Sequence, residues 1–553
     1  MKRTTFIITA ILAIASCSTP LMSRGNETLI INPEFDASDA NHLALFKIER
    51  TDTATIVYAG VYDLPNYRVS LSSNGKLKDS KGKTYKLLSC EGFQLDRQVP
   101  MPPSGTISFA LYFEPVDKNE KVVDYIDLNE DNESIIGIKL YKVKHTEPVQ
   151  CLLKGKVLNR PQSSRLVLLK PGEDFRTAHV TYIPVRDGKF EYMLYANVEE
   201  AYKLIFYEEI RGGSWKDFDF IAEAGTLDFT LNPTDKWEDN VVKGGKYTDA
   251  YHAVMDTLSR EINLLYGALN EKAQQLQDEN RYYTPEAGEL YKQYRDALDR
   301  NDATQKYALY DRITQLRKEG KELSEEAKVL NKENERINKT VSVDNLLEYA
   351  KAHIDITGYT FLVENIRYAI EDKRRNVDVA PMLAIFHDMY EKKYPRHPYT
   401  SLLQSYVQAA AIQVGKPCPD VAALDVSTGK EVRLSELIKG KVTLVHLWAS
   451  WCGPCRAHGM AMIPVYEMYK DKGFSVIGIS REKKKEAMDM AVKKDKYPWM
   501  NLLELNDEHS IWTKFGIGNG AGGEFLVDEQ GNFLAVNATP EEMKKILQEL
   551  FEN

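Results

Sequence analysis

The chain has 553 residues, more than one hydrophobic core normally organises, so the sequence predicts several domains and excludes a single compact fold. The composition is 43% apolar and 28% charged, which is typical of a globular protein and excludes a disordered chain. A net charge of −9 with no nucleic-acid-binding motif argues against nucleic acid as a partner.

The first residues have the pattern of an export signal. Lys2 and Arg3 precede an apolar run from Phe6 to Ala15, which is too short to remain as a membrane-spanning helix. The segment Ile14-Ala15-Ser16-Cys17 resembles the lipobox of bacterial lipoproteins. That resemblance implies a signal peptide over residues 1–17, lipidation of Cys17, and a lipid anchor in the envelope of a Gram-negative bacterium, in the periplasm or on the outer-membrane surface. A plain secretory leader with an incidental cysteine is the alternative.

Two β-rich segments follow. Residues 18–146 are predicted to form an antiparallel β domain, with strands at Ala54 to Tyr58, Thr106 to Phe113 and Ile135 to Val143. Residues 147–245 are predicted to form a second β domain, with a hairpin turn at Asp187-Gly188. Its expected strands are Leu152 to Leu158, Arg165 to Leu169, Lys189 to Leu194, Tyr202 to Tyr207 and Leu227 to Leu231. This second segment resembles the small β-sandwich domain of unknown function that precedes thioredoxin domains in Gram-negative lipoproteins.

Residues 246–413 change to a helical pattern rich in Glu, Lys, Gln, Leu and Ala. Helices are predicted at Tyr251 to Gln277, Pro285 to Asp299, Gln305 to Asn338 and Pro381 to Tyr394. The charged stretch Lys318 to Lys339 lacks a sustained heptad repeat, which favours a solvated helix over a coiled coil. We expect this region to space the last domain or to form a homodimer contact.

Residues 414–553 have the pattern of an α/β domain. The apolar run Val442 to Trp448 predicts a buried central strand, and a helix from Cys452 to Tyr469 should follow it. The remaining predicted elements are strand Phe474 to Ile479, helix Lys483 to Lys494, hairpin Glu524 to Val536, and a helix that begins with the capping box Thr539-Pro540-Glu541-Glu542.

Cys452 and Cys455 form a C-x-x-C pair at the start of the predicted helix. A cysteine at a helix N-terminus has its thiolate stabilised by unpaired N–H groups and the helix dipole, so Cys452 is the expected nucleophile. Cys455, one turn further on, would then resolve the mixed disulfide. Gly453 and Pro454 allow the tight approach and fix the first helical φ. No second pair completes a zinc site, so we predict no metal and no cofactor besides the Cys452–Cys455 disulfide.

The sequence Trp448-Ala449-Ser450-Trp451-Cys452-Gly453-Pro454-Cys455-Arg456 resembles the active site of TlpA/ResA-type thiol-disulfide oxidoreductases. The approach Gly415-Lys416-Pro417-Cys418-Pro419-Asp420 resembles that family as well. The resemblance covers about the last quarter of the chain and implies a thioredoxin-like fold, with Trp451 part of the active site.

Three positions depart from the family pattern. Where thioredoxins have a buried acid, six residues before the first cysteine, this sequence has His446. Where TlpA-type proteins often have Glu, three residues after the second cysteine, it has His458. Either imidazole is a candidate acceptor for the Cys455 proton, and the alternative is a core role for His446 and a surface role for His458. Ala521 and Gly522 stand at the Ile and cis-Pro positions of the family's substrate-docking loop, so a different docking mode is expected.

The resemblance implies a membrane-tethered oxidoreductase, biased toward reduction of disulfides in exported proteins and re-reduced by a membrane electron donor. The alternative is a partner-binding lipoprotein whose thioredoxin-like domain has weak or no redox activity. A thiol peroxidase is disfavoured because Cys418 lacks an activating threonine and arginine. Cys90, Cys151 and Cys418 are expected to be buried thiols rather than a structural bridge.

Overall fold

A computed structural model describes residues 28–40, 42–127, 133–178, 180–300, 302–337, 339, 343–372, 377–520 and 522–552. Cys17 and Ala521, both singled out from the sequence, lie outside this set. The chain divides into two compact units, Met1–His145 and Thr146–Asn553. Within the described ranges, no helix is both long enough and apolar enough to cross a membrane.

The first unit is built from antiparallel strands. Nine described strands form one sheet in the order β1-β3-β4-β9-β7-β6-β10-β11-β2, and β5 pairs with β8. The predicted strand Thr106–Phe113 is found with the same bounds, whereas the two other expected strands shift by up to four residues at their ends. The bounds are β1 Thr28–Ile31, β2 Ala37–Ser38, β3 Leu43–Arg50, β4 Thr55–Tyr62, β5 Arg68–Val69, β6 Lys76–Asp79, β7 Thr84–Glu91, β8 Val99–Pro100, β9 Thr106–Phe113, β10 Val122–Ile126 and β11 Ser134–Lys139.

The second unit begins with a β-sandwich. Its two four-stranded sheets have the orders β15-β12-β18-β19 and β14-β13-β16-β17, and side chains from both sheets share one hydrophobic core. Asp187 and Gly188 both have positive φ and form a tight turn closed by the Arg186–Lys189 bridge, but β14 and β15 on either side of it belong to different sheets. The bounds are β12 Val149–Val157, β13 Arg165–Leu169, β14 Thr181–Pro184, β15 Lys189–Ala196, β16 Glu200–Phe206, β17 Phe218–Ala222, β18 Gly225–Leu231 and β19 Val241–Lys243.

A helical region follows the sandwich and shares a core with it. Helix α1 begins at Tyr207, so the strand predicted to reach that residue ends one residue earlier. The predicted helix Pro285–Asp299 is found with the same bounds, because Thr284 caps it and Pro285 fits the first turn. The helices are α1 Tyr207–Gly212, α2 Lys246–Asp278, α3 Pro285–Asp299, α4 Ala303–Lys318, α5 Glu325–Ile337, α6 Asn345–Ala352, α7 Ile356–Glu371, α8 Ala380–Ile385, α9 Glu391–Lys393 and α10 Pro398–Ala410, with a π-helical turn Phe386–Tyr390 between α8 and α9.

The prediction of one helix over Gln305 to Asn338 is wrong. The chain turns between α4 and α5, where Gly320 has φ +66° and the N–H of Lys321 bonds to the carbonyl of Leu316. The hydroxyl of Ser324 then accepts a hydrogen bond from the N–H of Ala327 and starts α5. The predicted helix is therefore two helices, α4 and α5, and α5 packs against α2.

The C-terminal domain is a seven-stranded sheet in the order β21-β20-β24-β23-β22-β25-β26. β22, β23 and β24 are parallel, and β25 runs antiparallel to β22. The sequence analysis missed β20, β21 and β24. The bounds are β20 Ala422–Asp425, β21 Lys430–Arg433, β22 Val442–Trp448, β23 Phe474–Glu482, β24 Met500–Leu505, β25 Gly523–Asp528, β26 Phe533–Val536, α11 Leu434–Leu437, α12 Gly453–Tyr469, α13 Lys485–Asp495, α14 Ile511–Lys514 and α15 Pro540–Glu552.

The predicted capping box at the start of α15 is present. The hydroxyl of Thr539 accepts from the N–H of Glu542, and the Glu542 carboxylate accepts from the N–H of Thr539.

Candidate active site

The cysteine pair lies where the central strand β22 passes into α12. Cys452 is the N-cap residue of α12, and its sulphur accepts a hydrogen bond of 3.3 Å from the backbone N–H of Cys455. The two sulphurs are joined as a disulfide, and the cysteines are only 5% and 6% exposed. A sulphur at this position faces the unpaired N–H groups of the first helical turn, which stabilise a thiolate when the disulfide is reduced.

The loop before the cysteines is held by two charged side chains that the sequence analysis did not single out. The buried carboxylate of Glu482, the last residue of β23, accepts hydrogen bonds from the backbone N–H and the hydroxyl of Ser450. Burial raises the pKa of Glu482. Arg456 donates to the carbonyl of Ser450 at 3.2 Å and pairs with Asp495 through two contacts of 2.6 Å. The loop that presents Cys452 is thus anchored at Ser450 by side chains from β23 and α12.

His446, His458 and Glu524 form a hydrogen-bonded cluster beside the cysteine pair's helix. Nδ1 of His446 lies 2.8 Å from Oε2 of Glu524, and Nδ1 of His458 lies 3.3 Å from Oε1 of the same carboxylate. His446 is 1% exposed, whereas about half of the His458 side chain is exposed. The structure therefore brings both predicted histidines to one acid, Glu524, which sequence reasoning missed.

The electrostatics of this cluster favour an ionised carboxylate. Burial acts to raise the pKa of Glu524, but the two imidazoles outweigh it and lower that pKa below its ordinary value. The hydrogen bond to Glu524 raises the pKa of His458. Because a carboxylate only accepts, the Nδ1–H of His446 donates to Glu524, and Nε2 is the other ring nitrogen. This Nε2 is buried and has no hydrogen-bond partner among the described residues.

The His446 side chain points to the same side of the sheet as the cysteines. Leu444 and Trp448, two residues before and after it on β22, belong to the hydrophobic core that also contains Cys452 and Cys455. A Cβ added to Gly459 of α12, one turn beyond Cys455, would lie 3.0 Å from Nε2 of His446. The unpartnered nitrogen therefore faces the helix that carries the cysteines.

Gly522 packs directly against the second cysteine. A Cβ added here would lie 2.7 Å from the sulphur of Cys455 and 2.2 Å from the carbonyl oxygen of Leu447. The backbone at this position thus approaches the disulfide more closely than any residue with a side chain allows.

The three other described cysteines are free thiols. Cys151 is buried as predicted, but Cys90 and Cys418 are partly exposed, because each lies near the edge of a packed core rather than inside it. Burial, with a contribution from Asp420, raises the pKa of Cys418 to about 12. Such a thiol is almost entirely protonated at neutral pH, which opposes a peroxide-reactive role.

The parallel strands, the helix that begins at Cys452 and the adjoining antiparallel hairpin define a domain of the thioredoxin superfamily. The model of the AhpC/TSA family matches residues 414–535. Thiol-disulfide oxidoreductase ResA of Bacillus anthracis is 30% identical over 122 residues, which are 22% of this chain and 66% of that relative. ResA of Geobacillus thermodenitrificans is 23% identical over 155 residues, 28% of this chain and 86% of that relative.

Two solved structures also match about a quarter of this chain. The thioredoxin domain of a thiol-disulfide oxidoreductase from Bacteroides vulgatus is 26% identical, with 26% of this chain and 99% of that chain covered and a TM-score of 0.24. A putative thiol:disulfide interchange protein DsbE from Chlorobium tepidum is also 26% identical, with coverages of 26% and 98% and a TM-score of 0.23. By the family match and the ResA relatives, the C-terminal domain of this chain is similar to TlpA/ResA-type proteins of the thioredoxin superfamily.

Proposed function

We propose that this chain is a membrane-tethered thiol-disulfide oxidoreductase that reduces disulfides of exported proteins. The observation that carries the proposal is the bonded pair Cys452–Cys455, with the first sulphur at the N-terminus of α12. The match to proteins named thiol-disulfide oxidoreductases supports it. The Gly-Pro dipeptide between the cysteines, shared with reducing thioredoxins, supports the direction.

The exchange proceeds in two balanced steps. The Cys452 thiolate attacks one sulphur of the client disulfide, a mixed disulfide forms, and the other client sulphur leaves as a thiolate that takes up a proton. Cys455 then loses its proton and attacks the sulphur of Cys452, which releases the second client thiolate. The client gains two electrons and the pair is oxidised to the disulfide. A membrane dithiol donor returns the two electrons by the same exchange in reverse.

His446 is suited to take the Cys455 proton in the second step. Its buried Nε2 faces α12 without a partner among the described residues, and Glu524 holds its Nδ1–H. Glu524 stabilises the imidazolium that results, and His458 binds the other carboxylate oxygen. Gly522, which packs against the sulphur of Cys455, belongs to the loop that we propose contacts the client.

Insulin reduction by the soluble chain, compared with Cys452→Ser, tests the activity. Cys418→Ser is the matched control, because it removes another thiol of the same domain. We expect turnover with wild type and the control and none with Cys452→Ser. Equal turnover by all three proteins, or none by any, would contradict the proposal, and the second outcome would favour the partner-binding lipoprotein. A redox titration of the pair against glutathione then fixes the direction, and a midpoint as oxidising as that of a dedicated oxidant would overturn the reductant role.

The tether and the envelope location belong to the same proposal. The lipobox pattern that ends at Cys17 supports both. Metabolic labelling with a radioactive fatty acid should mark wild type but not Cys17→Ala, and the variant should leave the membrane fraction. A labelled Cys17→Ala protein would disprove the anchor.

A homodimer through the helical region is part of the proposal too. Large apolar side chains are exposed on α2 and α5, with Leu264 81% and Val329 66% exposed. Sedimentation velocity of wild type and Leu264→Glu tests it. We expect a dimer that the substitution dissociates, and a monomeric wild type would rule the contact out.

A further inference from the structure

A loop of the β-sandwich lies on the C-terminal domain beside the disulfide. This loop, Gly172–Thr177, connects β13 to β14 and is here called the cap loop. The guanidinium carbon of Arg176 lies 3.8 Å from the centre of the indole ring of Trp451, and Nη2 of Arg176 donates to the carbonyl of Asn519 at 2.7 Å. The cap loop therefore touches the residue directly before Cys452 and the loop that leads to Gly522.

Arg176 is fixed in this position by its own loop. Nε of Arg176 lies 2.9 and 3.1 Å from the two carboxylate oxygens of Asp174, and Nη2 lies 2.6 Å from one of them. The Asp174 side chain is buried, whereas about a third of the Arg176 side chain is exposed. A planar guanidinium held by two carboxylate oxygens keeps its face over the indole ring, a geometry that a lysine could not supply.

Two further hydrogen bonds attach the cap loop to the C-terminal domain, and Arg481 there links the donor residue of one to the acceptor residue of the other. The side-chain amide of Asn519 donates to the carbonyl of Gly172 at 2.9 Å, and its oxygen accepts from Arg481. The hydroxyl of Thr177 donates to Asp507 at 2.7 Å. Arg481 and Asp507 are themselves paired. The cap loop is thus held by Asn519 and Asp507 of the C-terminal domain, which Arg481 joins to each other.

We propose that the cap loop occupies the client-docking surface formed by Trp451 and the carbonyl of Asn519, and that a client's extended segment must displace it. Both groups suit such a segment, because an indole face takes apolar or cationic side chains and a carbonyl accepts a backbone N–H. Cys452 is 5% exposed in the capped state, which denies a protein disulfide the approach that attack on sulphur needs. The inference rests on the proposed function, but its test does not need turnover.

The test measures how easily Cys452 is reached by reagents of two sizes. In the full chain with Cys455→Ser, which leaves Cys452 a free thiol, modification by N-ethylmaleimide and by a maleimide on a 5-kDa polyethylene glycol is followed by peptide mapping. The readout is the rate at which the polyethylene-glycol maleimide modifies Cys452, divided by the rate at which N-ethylmaleimide modifies it. A change in thiolate fraction scales both rates equally, so the ratio reports access alone.

Arg176→Ala, alone and with Thr177→Val, should raise this ratio at least about fivefold. Arg433→Ala, which breaks an Arg–Asp pair on edge strand β21, is the matched control and should leave it unchanged. Buried Cys151 should stay unreactive in a variant that remains folded. If Arg176→Ala makes Cys151 reactive, the rate ratio of Thr177→Val alone is used instead. A ratio within twofold of wild type in the folded variants would overturn the proposal, whether or not the protein reduces insulin.

Discussion

Nδ1 of His446 bonds to Oε2 of Glu524 at 2.8 Å, and the two residues face each other as Cα partners on the antiparallel strands β22 and β25. The acid that thioredoxin-like patterns place on the central strand is therefore present in this chain on its neighbour. The imidazole stands between that acid and the helix that carries the cysteines. In the proposed mechanism, substitutions in this pair act on the proton transfer from Cys455.

Replacing Glu524 with Gln should slow disulfide exchange and change its pH profile. The amide keeps the shape but removes the charge that stabilises protonated His446. We therefore expect the exchange rate to fall by up to about 100-fold, which is the lower end of the range for general acid–base catalysis. The measurement is the rate of exchange from pH 5 to 9. Glu504→Gln is the control, because Glu504 is a buried glutamate on β24 of the same sheet. A Glu524→Gln profile that overlays wild type would remove Glu524 and His446 from the proton path.

The two histidines should differ in their effect on stability. Removing His446 leaves the buried Glu524 charge with only the half-exposed His458 as partner, so His446→Ala should lower the free energy of unfolding by about 3–5 kcal/mol. His458→Ala removes a solvent-screened pair and should cost less than about 1 kcal/mol. Urea unfolding of the oxidised proteins, followed by tryptophan fluorescence, compares them. Equal losses of unfolding free energy in both variants would show that burial does not determine how strongly these contacts stabilise the fold.

The His458 contribution should depend on pH in a defined direction. Its folded-state pKa is raised, so the pair stabilises the fold fully below the unfolded value of about 6.5 and loses this contribution as pH rises through the folded pKa. The pKa of Glu524 is lowered, so its contribution is present above the unfolded value of about 4.3 and is lost as pH falls through the folded pKa. Both contributions are fully present between about pH 4.3 and 6.5.

Unfolding of wild type and His458→Gln at pH 5.5 and pH 9 measures this dependence. We expect the difference between the two proteins to be largest at pH 5.5 and to vanish at pH 9. In a Glu524→Gln background the substitution should have no pH-dependent effect, which serves as the control. A larger difference at pH 9 would contradict the assigned ion pair.

Local sequence signals predicted the elements whose boundaries are set by neighbouring residues. Val442–Trp448 is found as predicted, since all seven side chains are buried between the layers that cover a parallel strand. The break between α4 and α5 was missed because Glu, Lys and Arg continue through the turn, and only Gly320 marks it. β24 was missed because Met500–Leu505 pairs in parallel with β23, a contact remote in sequence.

Contacts between segments remote in sequence also explain which parts of the site were not predicted. Cys452 and Cys455 were recognisable because their chemistry depends on a spacing of three residues. Glu524 and Glu482 contact residues on other strands or loops. The register between strands cannot be predicted from one segment of the sequence alone. A charged residue next to the apolar run Phe525-Leu526-Val527 was the available signal for Glu524. The cap loop had no signal, since its partners lie more than 270 residues along the chain.

Adding a methyl group at Gly522 should disturb the active site in a way that depends on redox state. The new Cβ would lie 2.7 Å from the Cys455 sulphur and 2.2 Å from the Leu447 carbonyl, so the loop must move away from the disulfide. We expect Gly522→Ala to lower the free energy of unfolding of the oxidised protein by about 1–3 kcal/mol, as overpacking does. The cost should be smaller in the reduced protein, where the two sulphurs are no longer bonded and Cys455 can adjust.

Urea unfolding of Gly522→Ala with and without dithiothreitol measures the loss of unfolding free energy in the reduced and the oxidised protein. A larger loss in the oxidised protein predicts a shift of the redox equilibrium toward the dithiol. Gly520→Ala is the matched control, because a Cβ there meets no described atom within 4 Å. A stable Gly522→Ala protein with the wild-type redox midpoint would show that the loop is free to move away from Cys455, and client docking would then have to be assigned to a mobile rather than a fixed surface.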